Sequence, residues 1–176
     1  MIKPSRNVLL VVAALFVVVV AIAAYTVVAT LRAADEPSPR PALAASVGTT
    51  LEDVHPMQFC TDVRALQCDA AATPRKLSVE PGKALVISLP KYITSRPWDV
   101  TIQRYDTING QATLETRTHV EPTKDTLILK STDALLLAAV EIRVPSDVQD
   151  QFGNLISQAV WGIDTLAKDY ALVQKP

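Results

Sequence analysis

A chain of 176 residues with 17 basic and 18 acidic side chains carries a net charge of −1, and only 20% of its residues are charged. That balance excludes the basic face a nucleic-acid binder needs and provides no polybasic arm for anionic lipid. The 49% hydrophobic fraction is concentrated at the N-terminus, and the roughly 130 residues beyond it are enough for one domain with its own core.

Residues 1–7 hold Lys3 and Arg6, and Val8 to Leu31 follow as 24 residues without a charge, a glycine or a proline. As a helix this run is roughly 36 Å long, enough to cross a ~30 Å hydrocarbon core with some tilt. It exceeds the ~7–15 apolar residues of a cleaved signal peptide, so the spacing predicts an uncleaved signal anchor over 8–31. No cysteine stands just after it, which excludes a lipid-modified lipoprotein. Lys3 and Arg6 hold the N-terminus in the cytoplasm, and Arg32 is offset by Asp35 and Glu36. The rest of the chain is therefore expected outside a cytoplasmic membrane, with one pass through the bilayer. Ala13, Ala14, Ala21, Ala23 and Ala24 make the anchor rich in small residues that let helices approach closely.

Residues 32–48 read as a linker, with prolines at 37, 39 and 41 that forbid helix and favour extended chain. From Thr49 the pattern turns to short apolar runs broken by Pro, Gly, Asn and Asp, the spacing of an all-β domain over 49–165. Cys60 and Cys68 are the two cysteines, and in an exported domain they are expected to form one disulfide rather than a metal site with His55.

Strands are expected at Thr50–Val54, Lys76–Val79, Ala84–Leu89, Trp98–Tyr105, Gln111–Val120, Thr126–Lys130, Ala134–Val144 and Leu155–Ile163. Asn109-Gly110 reads as a hairpin turn. Ala112, Leu114 and Val120 read as one apolar face, Ser146–Asn154 as a polar loop, and residues 166–176 as a tail with one helical turn around Leu166–Tyr170. Seven or eight strands in about 120 residues point to an immunoglobulin-like antiparallel β-sandwich. The expected class is mainly β with one N-terminal transmembrane helix.

The stretch LSVEPGKALVISLPKYITSRPWDVTIQRYD (77–106), with Phe59-Cys60 and Cys68 before it and VEIRVPSDV (140–148) and AVWGID (159–164) after it, resembles a family of uncharacterised exported proteins of mycolic-acid-containing actinobacteria such as corynebacteria and mycobacteria. The likeness spans roughly Val54 to Ile163 and is most specific from Pro81 to Val100. It implies a secreted or membrane-attached single β-domain and transfers no catalytic residue.

Chemistry has little to stand on. Ser88, Ser95, His55 and His119 lack a Gly-x-Ser-x-Gly elbow. No carboxylate pair is singled out, and Asp99 and Glu141 fall at outward strand positions. Trp98 and Trp161 fit core positions better than a ligand groove, and Tyr92 and Tyr105 are interface candidates. We therefore expect no enzyme, no cofactor and no metal. The expected function is that of an accessory or assembly subunit of a larger membrane complex facing the cell envelope. A respiratory cytochrome bc–oxidase supercomplex is the candidate, with an integral membrane complex and the bilayer as partners. The alternative is a module binding envelope lipid or glycan in cell-wall assembly.

Overall fold

The computed structural model describes residues 18–26, 40–120 and 125–167. Residues 18–26 form a helical stretch, α1, whose side chains are exposed all round, Val19, Ile22 and Tyr25 included. The remainder of the expected span Val8–Leu31 lies outside the described residues, and no helix among the described residues is long and apolar enough to cross a membrane.

From Arg40 the chain is mainly β. The strands are β1 (Leu43–Val47), β2 (Thr50–Val54), β3 (Gln58–Asp62), β4 (Gln67–Cys68), β5 (Arg75–Lys76), β6 (Ala84–Ser88), β7 (Trp98–Asp106), β8 (Gln111–His119), β9 (Thr126–Lys130), β10 (Leu135–Gln149) and β11 (Leu155–Asp164), with the single-turn helix α2 (Lys91–Thr94) before β7. They form a four-stranded sheet, β2-β1-β6-β9, and a seven-stranded sheet, β4-β3-β11-β10-β7-β8, in which β5 also pairs with β11. Neighbouring strands are antiparallel except β5 and β11, which are parallel. One core fills the space between the sheets. Leu43, Ala45, Leu85, Ile87 and Leu129 come from the smaller sheet, and Trp98, Val100, Ile102, Val140, Ile142, Trp161 and Ile163 from the larger.

The described residues form two antiparallel sheets as expected, with eleven strands in place of the expected seven or eight, and the differences have local causes. Of the linker expected over 32–48, residues 32–39 lie outside the described residues, and Leu43–Val47 form β1, which sits between β2 and β6 and buries Leu43 and Ala45. Alanine contributes little hydrophobic periodicity, and the prolines before it mask the strand. Pro145 does not end β10. It occupies a register shift against β11, where a residue without an N–H is tolerated, so the expected loop Ser146–Asn154 is strand as far as Gln149. The expected strand Lys76–Val79 is only β5, although the N–H groups of Leu77 and Val79 still bond the carbonyls of Asp164 and Thr165. The connection expected from Tyr92 contains α2. The helical turn expected at Leu166–Tyr170 lies partly outside the described residues; Leu166 and Ala167 are not helical.

Cys60 and Cys68 lie opposite each other on β3 and β4 and are disulfide-bonded, with an S–S distance of 2.01 Å. In the chain-entropy view a loop this short contributes about 2.5 kcal/mol to stability.

Candidate functional site

The site begins at a turn. Asp106 ends β7, and its carboxylate accepts the backbone N–H groups of Asn109 at 3.0 Å and Ile108 at 2.9 Å, and the Asn109 side-chain amide at 2.7 Å. These bonds, Asn109 first, hold the Asp106 carboxyl below its ordinary value. Gly110 closes the turn at φ +67, a conformation that other residues adopt at a cost. The chain then returns as β8, paired with β7 through nine successive residues from Asp106↔Gln111 to Trp98↔His119.

Side chains lock that register. The hydroxyls of Thr101 and Thr116 meet at 3.2 Å, and Thr118 donates to Asp99 at 2.7 Å. The His119 ring stacks on the Trp98 indole with centroids 4.0 Å apart.

Among the described residues β8 pairs with β7 alone, so its other edge is open. It is exposed from Gln111 to Thr118. Directly opposed residues share a face. Glu115, Arg117 and His119 therefore lie on the side where β7 buries Ile102, Val100 and Trp98. Glu115 and Arg117 are tolerated there because they stay exposed and pair with each other at 2.7 Å, while Leu114 is 72% exposed on the other face. The turn-set register corrects the apolar face expected from Ala112, Leu114 and Val120, because it sends Ala112 and Leu114 outward with Tyr105 and Gln103. The strand's own pattern points the other way, since the five alternate residues Gln111, Thr113, Glu115, Arg117 and His119 are all polar and read as a solvent face.

A groove of about 560 Å³ lies where β10 is irregular, with Asp62, Arg64, Arg96, Ser146, Asp147 and Gln158 among its lining. Arg96 is held there over the Tyr92 ring, 4.4 Å from its centroid, and donates to Gln158 at 2.9 Å. Burial raises the Tyr92 hydroxyl above its ordinary value, opposed by the nearby Arg96 charge. Two arginines and two aspartates leave the groove without net charge.

The structure does not bring the other sequence candidates together. His55 is exposed after β2, and His119 is on β8 at the far edge of the larger sheet. Ser88 ends β6 and Ser95 follows α2, both exposed. Trp98 and Trp161 are wholly buried, so they fill the core, with the Trp161 N–H bonded to the Pro41 carbonyl at 3.0 Å. Tyr92 and Tyr105 are half-buried. Asp99 and Glu141 share the outer face, but the Asp99 carboxylate is engaged by Thr118 and by Arg143 at 3.5 Å. Among the described residues no three His, Cys, Asp or Glu side chains are grouped to hold a metal ion.

Comparison with known proteins adds one relationship. A family model described as protein of unknown function (DUF2771) matches residues 36–166, and the chain belongs to that family. No curated protein and no solved structure matches it.

Proposed function

Starting from that membership, we propose that this protein is a non-enzymatic, single-span accessory or assembly subunit of a cytoplasmic-membrane complex. Its N-terminal segment anchors an immunoglobulin-like sandwich on the envelope side, and the β8 edge is its docking element. The observation that carries the reading is the open edge itself. Over nine residues β8 is paired on one edge only among the described residues, and Gln111–Thr118 are exposed, which together form a template for another strand. The anchor reading is supported by the uncharged run Val8–Leu31 and by the exposed apolar side chains of α1, a composition that lipid or protein must cover. The Cys60–Cys68 disulfide supports an oxidising compartment. The candidate complex is the respiratory cytochrome bc–oxidase assembly.

The second reading is a module for envelope glycan or lipid. The polar groove around Arg96 favours it, while the core between the sheets, filled by Trp98 and Trp161, counts against a ligand held there.

The test is purification of the full-length protein from its own membranes in mild detergent. Mass spectrometry, a reduced-minus-oxidised haem spectrum and amide exchange on β8 are then read together. Stoichiometric membrane subunits with slowed β8 exchange are expected, and cytochromes among them would identify the respiratory assembly. Recovery of the protein alone, with bound lipid or glycan and freely exchanging β8 amides, would overturn the docking reading in favour of the second.

A further inference from the structure

We propose that the strand added to β8 is the β8 of a second copy of this chain, paired antiparallel about Thr116, so that two seven-stranded sheets run into one. This rests on the reading of β8 as a docking edge and names its occupant.

The edges of the two sheets differ in what they offer. β2 and β9 are five residues long, β4 is two, and β9 ends in Lys130. β8 offers nine residues, and Gln111–His119 contains no proline and no lysine, two common guards against strand addition. What β8 carries instead is one pair of opposite charges two positions apart, Glu115 and Arg117.

A twofold contact sets residue i against j and j against i, and opposed residues must share a face, so the dyad passes midway between a residue and its own copy. Centred on Glu115, the pairing sets that carboxylate against its own copy. Centred on Arg117, it does the same to the guanidinium. Centred on Leu114, it sets both charges against uncharged residues, Thr113 and Gln111. Centred on Thr116, it sets Glu115 against the partner's Arg117 and Arg117 against the partner's Glu115. Each charge then has an opposite neighbour along its strand and across the seam. The same register opposes Ala112 to the partner's Val120 and Leu114 to the partner's Thr118. It thereby covers Val120 and Leu114, which are 71% and 72% exposed in the single chain. Thr116, at the dyad, is a small β-branched residue suited to close cross-strand contact.

The register is read with single cysteines in the full-length protein in mild detergent. Both native cysteines are already paired, so an introduced thiol has no competitor. About Thr116 the two Cα atoms at that position lie roughly 4.5–5.5 Å apart, within disulfide reach. Those at position 114 are offset by four residues, about 13 Å along the strand. Thr116→Cys is expected to cross-link under mild oxidation at least tenfold more than Leu114→Cys. Glu115→Lys in the Thr116→Cys background is expected to cut that cross-linking about tenfold, and Glu115→Arg with Arg117→Glu to restore it. Cross-linking of Thr116→Cys no greater than that of Leu114→Cys overturns the proposal. If β8 amides are nonetheless protected in the native membrane complex, the docking edge survives with a different occupant. If they exchange freely there too, both readings fall together.

Discussion

Gly162 lies on the outer face of the larger sheet, against Met57 and Pro74. A Cβ built there would lie 2.6 Å from the Met57 sulfur and 3.3 Å from the Pro74 Cβ. The thioether is the far end of a flexible side chain and can swing away, but the proline cannot. Gly162→Ala is therefore expected to cost about 1–2 kcal/mol, at the low end of overpacking penalties. Urea denaturation should show a clearly smaller loss when the same change is made in a Met57→Ala background, because much of the clash is then gone. Equal losses in both backgrounds would mean that Met57 does not set the constraint. Nothing in the sequence marks this contact, since Met57 and Gly162 are 105 positions apart and only the β3–β11 pairing brings their segments together.

The β7–β8 hairpin is an element whose stability has a readable pH dependence. Hydrogen bonds from Asn109 and Ile108 favour the charged form of Asp106 and depress its folded-state pKa. A depressed carboxylate contributes its stability above its unfolded value, about pH 4, and loses it as the pH falls through the lower folded value. Asp106→Ala should therefore lower stability at neutral pH and flatten this part of the acid limb; a thermal melt series from pH 7 to pH 2 checks both. This hairpin was largely legible, because Asn109-Gly110 marks the turn and Trp98, Val100 and Ile102 alternate strictly inward. What stayed hidden was the register across the turn. The loop runs from Thr107 to Gly110, so Asp106 pairs with Gln111, and that pairing decides which face of β8 points outward. β6, β9 and β11 were legible for the same reason as β7. β1, β3 and β4 were not: β1 is masked by alanines and the prolines before it, β3 pairs with a strand a hundred residues away, and the two-residue β4 is fixed by the disulfide.

The whole domain is closed by distant pairs. β1 meets β6 through Ala44↔Ser88, and β3 meets β11 through Phe59↔Ala159. β11 is the central join of the larger sheet, flanked by β3 and β10 and receiving β5 as well. A chain ended at Asn154 would retain β7, β8 and β10 but lose the strand that carries the wholly buried Trp161 and Ile163. It should lack the near-ultraviolet dichroism of packed tryptophan and be digested rapidly by protease; native-like resistance would show that β3 and β10 can join without β11. A chain made from its N-terminus presents β3 a hundred residues before Ala159, its partner on β11. At ~5–20 residues per second, that edge waits about 5–20 s for its mate. Closure of the larger sheet is thus a late event in the life of the nascent chain, and until then the open sides of β3 and β10 need shielding from neighbouring chains. Yield in the cell should accordingly respond to holding factors and to the speed of synthesis more than to the stability of the finished fold.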